Sequence, residues 1–93
     1  MGLANGMEVN YLEALAMRLG REGWYARLRT PPDGRPSLHV INPEMPALED
    51  QVNVQCHEEQ AWFCFSWADR IAPVHDLDSV AARITGVLAV RHG

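Results

Sequence analysis

Along Val52–His57 apolar and polar residues alternate, with Val52, Val54 and Cys56 set against Asn53, Gln55 and His57. Period two marks a half-buried strand. The polar tetrapeptide His57-Glu58-Glu59-Gln60 follows, and then Ala61–Trp67, rich in the aromatic residues that favour strands. A turn over 57–60 sets Cys56 opposite Ala61, Val54 opposite Phe63 and Val52 opposite Phe65. Those residues, with Trp67 at the far end, make an apolar face. Asn53, Gln55, Trp62, Cys64 and Ser66 make the opposite, mixed face. A slip of one residue would exchange the faces of one strand, so the apolar match selects this register.

Before this hairpin, Val9, Leu12, Leu15, Ala16 and Leu19 recur at helical spacing and predict a helix over about Glu8–Leu19. Residues 1–6 are expected to fray, Asn5 is the expected cap, and Gly20 and Gly23 bracket the stop. Trp24–Arg29 alternates Trp24, Ala26 and Leu28 against Tyr25, Arg27 and Arg29, which predicts a first strand. The Pro- and Gly-rich stretch 30–36 is a loop. Ser37–Asn42 returns as a second strand, with Leu38 and Val40 on one face and His39 and Ile41 on the other. Pro43 ends it, since proline has no N–H for a ladder. Residues 43–50 then form a proline-punctuated link that Met45, Ala47 and Leu48 pin to the core edge.

After the central hairpin, residues 68–75 read as a connector and Asp76 as the cap of a second helix, with Asp78 in its first turn. Leu77, Val80, Ala81, Ile84, Val87, Leu88 and Arg91 share one face of that helix, which runs to about Val90. The expected fold is a two-layer α+β domain of order α-β-β-β-β-α. It has a four-stranded antiparallel meander with both helices on its apolar face.

With 93 residues the chain makes one domain, 1–93. Composition is that of an ordinary globular protein, 47% apolar and 22% charged. No apolar run reaches the ~20 residues of a membrane helix, and no secretory leader is visible. The expectation is therefore a cytoplasmic protein with no membrane partner. A net charge of −4 disfavours nucleic acid as a partner. All eight basic residues of the Lys+Arg count are arginine, a pattern that reads as codon bias rather than phosphate recognition. Cys56 and Cys64 point to opposite faces in the predicted register, so both are expected to be reduced thiols.

The mixed sheet face carries the candidate chemistry: Tyr25, Arg27, Arg29, His39, Ile41, Asn53, Gln55, Trp62, Cys64 and Ser66. Aromatic area among hydrogen-bonding groups, with Trp, Tyr and Arg as anchors, is the make-up of an interface. The bland alternative is a tryptophan shielded by arginine stems. Metal spacing is missing: Cys56 and His57 point to opposite faces, Cys64 has His39 or His57 as its nearest candidates, His75 falls in a loop, and neither C-x-x-C nor H-x-x-x-H occurs. Cys64 with His39 would make a nucleophile only with a lowered pKa and an aligned base, and a strand cysteine is more often structural. Glu58-Glu59 reads as a solvated turn. Asp69-Arg70 reads as a surface pair, with Arg70 the candidate contact for a small ligand. Gly20-Arg21-Glu22-Gly23 lies at a helix end, where the dipole repels anions.

Trp24-Tyr-Ala-Arg-Leu, Leu38-His-Val-Ile-Asn-Pro43 and Trp62-Phe-Cys-Phe-Ser-Trp67, followed by Asp69-Arg70-Ile71 and Pro73, resemble a set of small uncharacterised actinobacterial proteins. The resemblance covers most of residues 10–90 and implies no activity and no site residue. The element order is also similar to type III secretion chaperone-like folds, which implies an α+β, often dimeric, domain. The residues read best as a non-enzymatic interaction domain, adaptor or chaperone-like, with no cofactor. It would bind a protein partner or itself through the face around Trp62. The alternative is a small-molecule-binding protein or minor enzyme with a cleft near 68–75, contacted by Arg70 and His39.

Overall fold

Apolar residues that alternate along a strand must be covered on one side only, and that requirement shapes the whole chain. The computed structural model describes residues 5–32, 34–65 and 70–89, with the backbone alone at residues 5 and 6. The elements are α1 (Asn5–Arg21), β1 (Tyr25–Arg29), β2 (Ser37–Ile41), β3 (Glu49–His57), β4 (Gln60–Phe65), β5 (Arg70–Pro73) and α2 (Leu77–Val87). The strands form one antiparallel sheet in chain order, β1-β2-β3-β4-β5. Both helices pack on one face of it. The core joins Leu12, Leu15 and Leu19 of α1 and Val80, Ala81, Ile84 and Leu88 of the α2 region to Leu38, Val40, Val52, Val54, Phe63 and Phe65 of the sheet.

The central register is the expected one: Val52 pairs with Phe65, Val54 with Phe63 and Cys56 with Ala61. The turn is tighter than the four residues the sequence suggests. His57 pairs with Gln60, and only Glu58 and Glu59 lie between, at φ 51° and 64°. A two-residue turn that follows the strand twist needs positive φ at both positions. Glutamates there cost about 1 kcal/mol each relative to glycine.

The sheet has five strands, not four. The segment expected to be a connector contains β5, which pairs Trp62 with Pro73, Phe63 with Ala72 and Cys64 with Arg70. The register shifts between Phe63 and Cys64, so Ile71 and Ala72 are both buried in succession. That bulge erases the alternation by which a strand is recognised, and the terminal proline fits an edge strand. Ser66, Trp67 and Asp69 lie outside the described residues.

Helix α1 begins earlier than expected, at Asn5, whose capping role lies outside the described side chains. It ends at Arg21, and Gly23 just beyond sits at φ 83° while the Trp24 N–H bonds the Leu19 carbonyl at 3.1 Å and the Gly23 N–H bonds the Gly20 carbonyl at 3.0 Å. That pair of bonds is the Schellman arrangement, which places a left-handed residue at this point. Asp76 caps α2 as expected, its carboxylate accepting the Ser79 N–H at 3.2 Å. Val87, expected on the core face, is 43% exposed, and α2 closes at Val87 with Leu88 as its cap. Arg91 lies outside the described residues.

Two buried polar residues fasten the loops. Asn42 donates from Nδ2 to the Leu88 carbonyl at 2.7 Å and accepts the Glu44 and Met45 N–H groups on Oδ1. It ties the 42–48 link to the end of α2, a role the sequence had suggested for Met45, Ala47 and Leu48. Met45 and Ala47 are in fact exposed, and Leu48 is half-buried. Glu8 of α1 is 2% exposed and accepts from Arg35 Nη2 at 2.6 Å; the same Nη2 donates to the Val54 carbonyl. A buried carboxylate needs such a partner.

Candidate functional site

The two helices cover one face of the sheet and leave the other open. Strand alternation places on the open face, row by row, Tyr25–Ile41–Glu49, Arg27–His39–Gln51, Arg29–Ser37, Asn53–Cys64–Arg70 and Gln55–Trp62–Pro73. Tyr25, Arg27, Arg29, Gln55 and Arg70 are exposed, while His39, Ile41 and Trp62 are half-buried. The residues expected on this face therefore share it, and Arg70 joins them because β5 extends the sheet. Cys64 is the exception in access. It has the expected orientation but is only 1% exposed, so it offers no contact surface. Cys56 is the converse: its parity is that of the core face, yet it is exposed at the hairpin end.

Three local arrangements organise the surface. At the β4–β5 end the Arg70 guanidinium carbon sits 5.2 Å from the centre of the Trp62 ring. A cation over an indole face is favourable, and it also holds the ring in place. Beneath it, burial pushes the Cys64 thiol above its ordinary pKa, and the charge of Arg70 offsets part of that rise. A thiol so placed is held protonated, which is the opposite of what a nucleophile requires.

In the middle, His39 links two strands. Arg29 Nη2 lies 3.3 Å from His39 Nδ1, and His39 Nε2 lies 3.0 Å from Glu49 Oε1. A guanidinium can only donate, so Nδ1 is the acceptor and Nε2 carries the proton given to Glu49. The histidine is thus held between its two neighbours in a cross-strand network.

At the β1–β2 end, Tyr25, Ile41, Asn42, Pro43 and Pro46 line an open, mainly apolar pocket of about 290 Å³. Tyr25, 70% exposed, forms one wall. The sequence named Tyr25 and Ile41 but not the pocket, because Pro43 and Pro46 reach it only through the loop that Asn42 folds back. Its signal was the Asn-Pro pair, whose side chain bonds the backbone ahead of it.

Arg70 and His39 do not converge on one cleft. They stand on β5 and β2 with two strands between, about 14 Å apart at the usual strand spacing. Among the described residues, no three His, Cys, Asp or Glu side chains come together as metal ligands, and no helix is long and apolar enough to cross a membrane.

Fold and surface together define a two-layer α+β domain with one open, arginine- and aromatic-bearing sheet face. No protein-family model matches the chain, and no curated protein or solved structure is significantly similar to it.

Proposed function

We propose that the protein is a non-enzymatic interaction domain, adaptor or chaperone-like, that works in the cytoplasm and docks a protein partner or a second copy of itself on the open sheet face. One observation carries this reading: Trp62 stands half-exposed under Arg70 on the face that neither helix covers. Indole and guanidinium groups are the commonest anchors of protein interfaces. The surface around them mixes apolar area with hydrogen-bonding groups, as interfaces do.

The test immobilises the wild-type protein and the variants Trp62→Ser and Arg70→Ser, and compares what each retains from its native cell extract. Purified partners are then titrated individually. Wild type is expected to hold a partner that both variants bind at least about tenfold more weakly while circular dichroism shows each variant folded at the assay temperature. If the partner is a second copy, sedimentation equilibrium shows a dimer that the same substitutions dissolve. A monomer whose partners are indifferent to both substitutions would refute the proposal.

A further inference from the structure

The open face also specifies the chemistry of its occupant. Resting on the docking reading above, we infer that it takes an extended, acidic segment of a partner protein, anchored by one apolar side chain in the pocket at Tyr25 and Ile41.

Charge is the first argument. The chain carries a net charge of −4, yet among the described residues the rows of the open face hold Arg27, Arg29 and Arg70 against Glu49 as their one carboxylate. None of the three arginines is paired with a carboxylate among the described residues. Arg29 reaches His39 and Arg70 lies over Trp62. Elsewhere Arg18 is bridged to Glu22 and Asp78, and Arg35 to Glu8. The exposed guanidinium forks match carboxylates in geometry as well as sign. A second copy laid on this face would bring like charges together, which opposes association.

The pocket is the second argument. Its lining is mainly apolar, and it opens at the opposite end of the face from Trp62. From Ile41 to Trp62 the path crosses two strand spacings and the six residue steps of β3 from Glu49 to Gln55. At ordinary strand dimensions that is about 22 Å, the length of roughly seven extended residues. A segment with its anchor in the pocket therefore starts at the β1–β2 edge, beside the strand that carries Arg27 and Arg29, crosses β3 over Gln51 and Asn53, and ends at Trp62 and Arg70.

The experiment selects peptides from a random display library on the whole protein. It then measures the selected peptides by fluorescence anisotropy against wild type, the double variant Arg27→Glu/Arg29→Glu, and Tyr25→Ser. Circular dichroism checks that each variant folds. Selected peptides are expected to be rich in Asp and Glu with one aliphatic or aromatic residue. Their affinity should fall at least about tenfold between roughly 0.05 and 0.5 M salt. The double variant should instead prefer Lys- and Arg-containing peptides, and Tyr25→Ser should weaken binding about fivefold or more without changing charge preference. Three outcomes overturn the inference: neutral or basic consensus peptides, a dimer formed through this face, or tighter binding of single-stranded RNA by the same arginines. Any of these, combined with partners still lost on Trp62→Ser, leaves the docking surface standing while removing its acidic occupant. Partners indifferent to Trp62→Ser and Arg70→Ser would remove both.

Discussion

The two faces of β4 lie a residue apart and obey different rules. Phe63 and Phe65 are fully buried beneath the helices and pack into the single core. Trp62, between Ala61 and Phe63 in the chain, looks the other way, toward Arg70 and its neighbours on the sheet. Burial explains the first face completely, since exposing it would forfeit the main driving force for folding. It does not explain the second. Half-buried aromatic area beside arginines that lack carboxylate partners contributes little to stability, and this is where a binding surface can be carried without opposing the fold.

The sharpest way to break that comparison is truncation on each side. Phe63→Ala should destabilise the protein by about 3–5 kcal/mol. Trp62→Ser should cost about 1 kcal/mol, the loss of a partly exposed ring and its cation contact. Urea titrations give both values. Equal costs would make Trp62 a core residue and void the distinction between the faces.

The helix-covered side has its own polar clip, and Arg35→Ala tests it. That change leaves the buried Glu8 carboxylate without its partner and should cost about 2 kcal/mol, less than a wholly buried pair because Arg35 is 62% exposed. A double substitution with Glu8→Gln should recover part of the loss, as read by thermal denaturation.

The turn that joins β3 to β4 serves both faces equally. Glu58→Asn with Glu59→Gly places residues suited to positive φ where glutamates now stand, and should stabilise by about 1–2 kcal/mol. Partner binding should be unchanged.

The smallest effect separates the two thiols, whose exposure runs against their strand parity. Cys56 should react with a thiol reagent at mildly alkaline pH well before Cys64, which is buried and held protonated. Because folding raises the Cys64 pKa, the folded state binds the thiol proton more tightly than the unfolded state. That contribution to stability is complete below the ordinary thiol pKa and is lost as pH rises through the folded value. Cys64→Ala should flatten this alkaline decline in melting temperature.

Much of this was legible in residue order. Strict alternation of Val52, Val54, Phe63 and Phe65 determined the central register, because only one pairing buries all four. The spacing of Leu12, Leu15 and Leu19 determined α1 and its buried face, and Asp76 marked the start of α2. Tyr25, Arg27, Arg29, His39, Ile41, Gln55 and Trp62 could be assigned to one face from the same period of two. Tertiary structure decided the rest. β5 exists because β4 offers it an edge, and its bulge hides it from any periodic reading. Cys64 is buried and Cys56 exposed because cover depends on what neighbouring chain lies above a residue, which strand parity does not encode. The Trp62–Arg70 stack, the Arg29–His39–Glu49 bridge and the pocket beside Asn42 each join residues from different elements. Local pattern fixes the direction of a side chain, but its neighbours are set only when the strands and helices are packed together.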